Sequence, residues 1–395
     1  MNPFPKRLQE KLAERGKNNL LRGLLETENR IDFSSNDYLG FAKNETLYAK
    51  TFQLLLKEGI AQNGATGSRL ISGNHVLYTE LEEYLANFHN SDSALVFNSG
   101  YDANIGFFSS VPQRNDFVFY DELIHASIRD GITMGHAKRY KFRHNDLEHL
   151  KEVIKRVVEA TGTSLDLDPP KTNGCHVYVV TESVFSMDGD TPDLKSLSDY
   201  CVQNGYYLVV DEAHAVGVFG KRGIGLVQDL GLQKNIFARI ITFGKALGCH
   251  GAAILGSTTL KSYLLNFARS FIYTTGLPPH NVASILSSYA FLETLEGKAQ
   301  LKALDANIDH FNRKIRILGL VSFFIPSVSA IQSCLIPGND KVKFISKKLS
   351  ENGFNVKAIL SPTVAEGEER LRFCLHSDNT KEEIGFVLQL LRNSM

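Results

Sequence analysis

Phe237-Ala-Arg-Ile-Ile-Thr-Phe243, running straight into Gly244-Lys245-Ala-Leu-Gly248, is the stretch on which the reading of this chain turns. An apolar, β-branched run reads as a strand, and the glycine-flanked turn after it lifts one lysine onto the rim of a sheet. An amine held there can be desolvated and lose its proton, which makes Lys245 a candidate Schiff-base nucleophile rather than a solvated surface lysine. Upstream, Tyr206-Tyr-Leu-Val-Val210 reads as a second strand and ends in Asp211-Glu-Ala-His214. A carboxylate and an imidazole should therefore reach the same sheet edge as the lysine.

Around these two strands the chain alternates short apolar runs with amphipathic stretches from Ile31 to about Pro279, the pattern of a mostly parallel sheet covered on both faces. Val76–His89 carries Leu77, Leu81, Tyr84, Leu85 and Phe88 at helical spacing. Strands are expected at Ala94–Phe97, Phe117–Tyr120, His176–Thr181, Tyr206–Val210 and Phe237–Thr242. After Pro278-Pro279 a long helical stretch leads to strands near Val321–Ile325, Ile331–Ile336, Val356–Leu360 and Leu371–Leu375 and to a final helix from Lys381, an α+β arrangement. At 395 residues the chain exceeds what one core usually holds. The expected division is an N-terminal arm over 1–35, a large α/β domain over 36–280 and a small α+β domain over 281–395. The segment Ala160–Gly174, with two prolines, reads as a surface excursion.

Charge argues against nucleic acid or a membrane surface as the main partner, because 43 basic residues balance 43 acidic ones and neither sign collects in a block. No run of apolar residues is long enough to span a bilayer, and Met1-Asn-Pro-Phe-Pro-Lys-Arg7 lacks the apolar segment of a signal peptide. A cytoplasmic protein is expected. The five cysteines are widely spaced with no C-x-x-C pair, which reads as reduced thiols, and no metal is expected.

Lysine and aspartate at adjacent strand ends are what pyridoxal phosphate requires, and that cofactor asks for four services. Lys245 would hold its aldehyde. Asp211 would keep the ring nitrogen protonated; its alternatives are a helix cap or an ion pair, and a helicase reading of Asp-Glu-Ala-His fails for want of a Gly-x-x-x-x-Gly-Lys-Ser/Thr loop. The phosphate would sit at Asn98-Ser-Gly-Tyr-Asp-Ala-Asn104, where a strand passes into a helix whose first N–H groups are free, with Gly100 allowing close approach and Thr242 adding a hydroxyl. His125, in Asp121-Glu-Leu-Ile-His125, offers an imidazole for the ring face, and His214 either bonds the ring hydroxyl or caps a turn. The glycine-rich Asn63–Gly73 loop lacks the spacing of a dinucleotide fingerprint and reads as close-packed backbone near the site.

With these residues assembled, the chain resembles the α-oxoamine synthases among the fold-type I pyridoxal phosphate enzymes, from Ser34-Ser-Asn-Asp-Tyr-Leu-Gly40 to Arg370-Leu-Arg-Phe-Cys-Leu375. The longest shared motifs are Asn98–Asn104, Thr181-Glu-Ser-Val-Phe-Ser-Met-Asp-Gly-Asp190, Asp211-Glu-Ala-His-Ala-Val-Gly217 and Thr242-Phe-Gly-Lys-Ala-Leu-Gly248. The resemblance implies an aspartate aminotransferase-like large domain with a seven-stranded, mostly parallel sheet. It implies that Lys245 later serves as base, that Ser186 and His214 lie at the ring hydroxyl, that His125 stacks on the ring, and that Asp211 pairs with its nitrogen. The phosphate would be held by the backbone of Gly100 and Tyr101, by Thr242, and by Thr274 reaching across a homodimer interface.

Asn36 and Arg372 would bind an amino-acid carboxylate, a task suited to a bidentate guanidinium. Glu182 matches a family position close to the site. Arg22 resembles an arginine near the acyl substrate, although the arm between Arg22 and Ile31 is shorter than in many relatives. Within the family, Val184–Gly189, His250-Gly-Ala-Ala253, Phe267–Tyr273 and Ser329-Ala-Ile-Gln332 favour the member reaction that joins L-alanine to a pimeloyl thioester of coenzyme A or an acyl carrier protein. The sibling reactions use glycine or serine with other acyl thioesters.

Overall fold

Apolar runs of five or six residues, alternating between two faces, build the central sheet of this computed structural model, which describes residues 4–18, 20–21, 23–24, 30–162 and 175–395. In chain order the strands are β1 (Ile31–Asp32), β2 (Ser93–Phe97), β3 (Phe117–Asp121), β4 (Lys138–Phe142), β5 (Val177–Glu182), β6 (Tyr207–Asp211), β7 (Ala238–Thr242), β8 (Ala252–Gly256), β9 (Ile331–Leu335), β10 (Phe354–Asn355), β11 (Lys357–Ile359) and β12 (Arg370–Cys374). Seven of them form one sheet in the order β2-β8-β7-β6-β5-β3-β4. All run parallel except β8, which is antiparallel to both neighbours.

The period-2 alternation decides which side each residue covers. Tyr178, Val180 and Val209 pack on one face with Phe107, Phe108 and Ile128 of the helices Gly100–Ser110 and Ala126–Met134. Val177, Val179, Leu208 and Val210 pack on the other with Leu150, Ile154 and Leu197. Helices on both faces are the expected consequence of parallel crossovers. The helix Val76–Phe88 buries Leu77, Leu81, Leu85 and Phe88, as its spacing requires.

The C-terminal part forms a separate three-stranded antiparallel sheet, β11-β12-β9, while β1 pairs with β10 in parallel. That last pairing draws Ile31 and Asp32 into the main body, so the compact unit begins at Ile31, inside the stretch expected to be arm. The described residues of the preceding unit hold one helix, Lys6–Lys17, with no buried residue. The final helix begins at Lys381 behind a reciprocal cap between Thr380 and Glu383.

Three readings change. Val321–Phe323 is a short 3-10 helix, and only Phe324 bridges to Cys334; Val321 and Phe323 are exposed, so the segment lacks the buried face a strand would need. The strand expected near Val356–Leu360 is present as β11, with the two-residue β10 just ahead of it. Two strands went unread: β4, a basic edge strand that buries only Phe142, and β8, whose alanines carry little strand preference. The Asn63–Gly73 loop is tied to the Gly276 turn by the Gly276 N–H bonding the Gly67 carbonyl. Residues 163–174 of the expected excursion lie outside the described residues. All five cysteines are free, and among the described residues no helix is long and apolar enough to cross a membrane.

One polar clamp ties the carboxyl end of β3 to the turn that follows β5. His144 places Nδ1 3.0 Å from Asp121 Oδ1 and Nε2 2.8 Å from Asp190 Oδ2. Burial opposes the charged imidazolium, but hydrogen bonds to the two carboxylates outweigh it and raise the His144 pKa to about 9. A pKa raised in the folded state gives stability that is complete below the unfolded value of about 6.5 and vanishes as pH climbs through about 9. Thermal melts at pH 6 and pH 9.5 should show the wild type losing on the order of 1–3 kcal/mol over that interval, with a flatter dependence in His144→Gln; parallel profiles for the two proteins would remove the clamp from the stability account.

Candidate active site

Parallel pairing sends the carboxyl ends of β2, β3, β5, β6 and β7 to one edge of the sheet, where ligand sites of open α/β sheets form. A cavity of about 210 Å³ opens there. Eight of the residues singled out in the sequence line it: Gly100, Tyr101, His125, Glu182, Asp211, His214, Thr242 and Lys245. Ser99, Asn104, Ser127 and His250 complete the polar wall.

Lys245 sits in the turn between β7 and β8. The turn is closed by the Gly248 N–H bonding the Lys245 carbonyl at 2.9 Å and the Cys249 N–H bonding the Phe243 carbonyl at 2.8 Å. Gly248 has φ +62°, and a Cβ there would meet the Ala42 nitrogen at 2.2 Å, so only glycine fits. Burial pulls the lysine pKa below its ordinary value and the Arg372 charge pulls it the same way, against the opposing charges of Asp211, Cys374 and Glu182. The proton on this amine is thus loosened, as a nucleophile or base requires.

Asp211 is buried and fixed from two sides: its Oδ1 accepts the Ala213 N–H at 2.9 Å and its Oδ2 accepts the Asn104 side-chain amide at 3.0 Å. Both donors are neutral, so no ion pair through these contacts competes with a cation placed in the cavity. The same Asn104 amide reaches Ser127 Oγ at 3.0 Å, and Ser127 Oγ lies 2.7 Å from His125 Nδ1. Since the Ser127 N–H also points at His125 Nδ1, that nitrogen is an acceptor and Nε2 carries the hydrogen. Desolvation lowers the His125 pKa, keeping the ring neutral. Glu182 accepts the His125 N–H at 2.5 Å; burial and then Asp211 push its pKa well above the usual carboxylate value.

The anion turn forms as expected. Ser99 caps the helix Gly100–Ser110 by accepting the Asp102 N–H at 3.0 Å, which leaves the first-turn N–H groups of Gly100 and Tyr101 without intrahelical acceptors. Thr242 presses on this turn, and a Cβ at Gly100 would stand 2.7 Å from its Cγ2. The donor set, the lysine and the aspartate therefore fit a phosphate, an aldehyde and a ring nitrogen.

Arg372 lies on β12 beside this cavity, almost fully buried. Its Nε donates to the Ser186 carbonyl at 2.6 Å, its Nη1 to Cys374 Sγ at 2.9 Å and its Nη2 to Asn36 Oδ1 at 3.0 Å. Ser186 thus touches the expected carboxylate pair through its backbone. Thr274 is not on the cavity wall; it lines a smaller one with Arg69 and accepts from the Asn98 amide at 3.2 Å. Arg22 lies outside the described residues. The sequence reading passed over Asn104, Ser127 and Tyr38; Asn104, one helical turn beyond Gly100, could have been found from that spacing. His144, Asp188 and Asp190 come together as a possible ligand set, but Asp188 pairs with Arg370 and both His144 nitrogens face carboxylates.

Gly100→Ala tests the anion turn. The added methyl should weaken pyridoxal phosphate binding by roughly tenfold or more through displacement of Thr242, with little change in the melting point of the cofactor-free protein; an unaltered dissociation constant would show that this turn does not hold the phosphate.

Known proteins share this fold. Residues 28–389 match the family described as aminotransferase class I and II. An 8-amino-7-oxononanoate synthase of Emericella nidulans is 39% identical over 413 residues, covering 99% of this chain and 97% of that protein. A solved 8-amino-7-oxononanoate synthase of Francisella tularensis superposes with a TM-score of 0.75 at 29% identity, over 93% of this chain and 98% of the other. A serine palmitoyltransferase solved with its pyridoxal phosphate gives a TM-score of 0.85 at 25% identity, over 98% of this chain and 96% of that one. The chain belongs to the class I and II aminotransferase family, within which it is a pyridoxal phosphate-dependent acyltransferase of the α-oxoamine synthase group.

Proposed function

We propose that the protein joins L-alanine to a pimeloyl thioester, releasing 8-amino-7-oxononanoate, carbon dioxide and the free thiol carrier, as a step of biotin synthesis in the cytoplasm. The observation that carries this reading is a single cavity wall holding Lys245, Asp211, His125 and His214, with Arg372 and Asn36 beside it. The Emericella relative, named for that product, supports the choice of substrates. Bound pyridoxal phosphate supplies an electron sink for the pair of electrons left at the amino acid's Cα.

The residues of this chain do the rest. Arg372 and Asn36 bind the alanine carboxylate and set which Cα bond stands against the sink. Lys245, its proton loosened by burial and by Arg372, takes the Cα hydrogen and returns one after carbon dioxide has left. Asp211 stabilises positive charge at the ring nitrogen, and His125, locked by Ser127, covers the ring face. His214 and Ser186 serve the ring hydroxyl. Gly100, Tyr101 and Thr242 hold the phosphate, joined by Thr274 from a second copy in a homodimer. Arg22 belongs near the acyl chain, and residues 36–280 and 281–395 are the large and small domains. The acyl carrier is coenzyme A or a carrier protein.

A sibling reaction with serine and a long-chain acyl thioester is favoured by one observation, the higher TM-score of the serine palmitoyltransferase. A panel of alanine, serine and glycine against pimeloyl, acetyl, succinyl and palmitoyl thioesters separates the readings: alanine with the pimeloyl thioester should give the highest kcat/KM, and a preference for serine with palmitoyl would transfer the assignment. Lys245→Ala should lower kcat by about 10²-fold or more while the protein still binds the cofactor through its phosphate; normal turnover in that variant would end the lysine's assigned role. Arg372→Ala should raise the alanine KM by roughly 10- to 100-fold, the worth of charge-assisted hydrogen bonds; an unchanged KM would place the carboxylate elsewhere.

A further inference from the structure

The turn Ser186-Met-Asp-Gly189, which follows β5, is gripped residue by residue from the C-terminal part of the chain. Strands β9 and β12 pair antiparallel with Ser333 directly opposite Arg372, so the two side chains leave the sheet on one face. There they take consecutive carbonyls of the turn: Arg372 Nε donates to that of Ser186 and Ser333 Oγ to that of Met187, each at 2.6 Å. Two residues along β12 and on the same face, Arg370 pairs with the Asp188 carboxylate. The Gly189 carbonyl lies 2.8 Å from Ser327 Oγ and 2.9 Å from Ser329 Oγ.

Ser186 gives Arg372 a main-chain acceptor, whereas Cys374 and Asn36 give it side chains. A carbonyl is steered by rotating its peptide, and the peptide whose oxygen Arg372 holds is followed directly by the one whose oxygen Ser333 holds. Ser333 is fully buried, so removal of its hydroxyl takes a hydrogen bond from the Met187 carbonyl in a place where an unpaired acceptor is costly. That peptide would then swing toward another donor, the Ser186 peptide with it, and the guanidinium would follow. The contacts at Asp188 and Gly189 still hold the far end of the turn, which keeps the change local.

We propose that Ser333 is a positioning residue for the amino-acid substrate: by holding the Met187 carbonyl it fixes the Ser186 carbonyl, and through it the orientation of the Arg372 guanidinium toward an α-carboxylate. This rests on the carboxylate role given to Arg372 above. A planar guanidinium recognises a carboxylate through its direction as well as its charge, and one aligned before the substrate arrives loses less conformational freedom on binding. Alanine, serine and glycine carry the same α-carboxylate, so the effect of Ser333 does not depend on which of them reacts.

Binding can be read without turnover. Protein saturated with pyridoxal phosphate, titrated with each of the three amino acids and followed by the absorbance of the bound cofactor, gives dissociation constants in the absence of any acyl thioester. Ser333→Ala should weaken each of them by roughly 3- to 10-fold, the worth of one hydrogen bond. In an Arg372→Ala background the same substitution should change them by less than about twofold, because the group it positions is gone. Equal losses in the two backgrounds, or no loss in the otherwise wild-type protein, overturn the proposal, while Arg372 keeps its role by the loss its own variant shows. If Arg372→Ala alone leaves the dissociation constants unchanged, the carboxylate reading falls and this proposal falls with it. Should Ser333→Ala not fold, Ser333→Cys, whose thiol is a weaker donor, carries the same comparison in both backgrounds.

Discussion

Desolvation of one amine is the constraint around which the molecule is arranged. A lysine taken from water tends to shed its proton, and Lys245 feels that pressure together with the positive charge of Arg372. Such an amine is stable in a fold only if the surrounding charges are placed to hold it there. Asp211 and Glu182 stand opposite, on the ends of neighbouring strands that are paired directly, Glu182 with Asp211. Glu182 is itself driven toward its neutral form by burial and by Asp211, so the two carboxylates do not act as a pair of equal charges. The sheet register thereby sets the electrostatics of the cavity.

The same strand end shows how one motif divides its labour. In Asp211-Glu-Ala-His214 successive side chains leave on opposite faces. Asp211 faces the cavity, whereas Glu212 turns into the protein, where its Oε2 meets Arg239 at 2.6 Å and its Oε1 accepts the Val227 N–H at 2.9 Å. Both members of that pair are almost fully buried, and removing one would strand the other at a cost of about 3–5 kcal/mol. The acid that serves chemistry and the acid that serves the fold are adjacent in sequence, and only the geometry tells them apart.

Much of this could be read from the residues because it depends on local pattern. Apolar alternation located β2, β3, β5, β6 and β7, and these are the strands whose ends carry the turns of the cavity. What escaped were features without a local mark. The strand β4 is polar because it is an edge, and β8 opens on two alanines, which carry little strand preference. Asn104 and Ser127 gain meaning only when the helices Gly100–Ser110 and Ala126–Met134 pack together and bring a line of hydrogen bonds from His125 to Asp211. Arg372 and Asn36 are 336 residues apart, and no periodicity could have joined them; the family resemblance did.

The account stands on a covalent link between the cofactor's aldehyde and one particular lysine. Purified protein treated with borohydride and digested with trypsin should yield a single peptide, spanning Ile240 to Lys261, that carries the mass of a reduced phosphopyridoxyl group on Lys245. The same mass on any other lysine, or on none in protein saturated with pyridoxal phosphate, would contradict it.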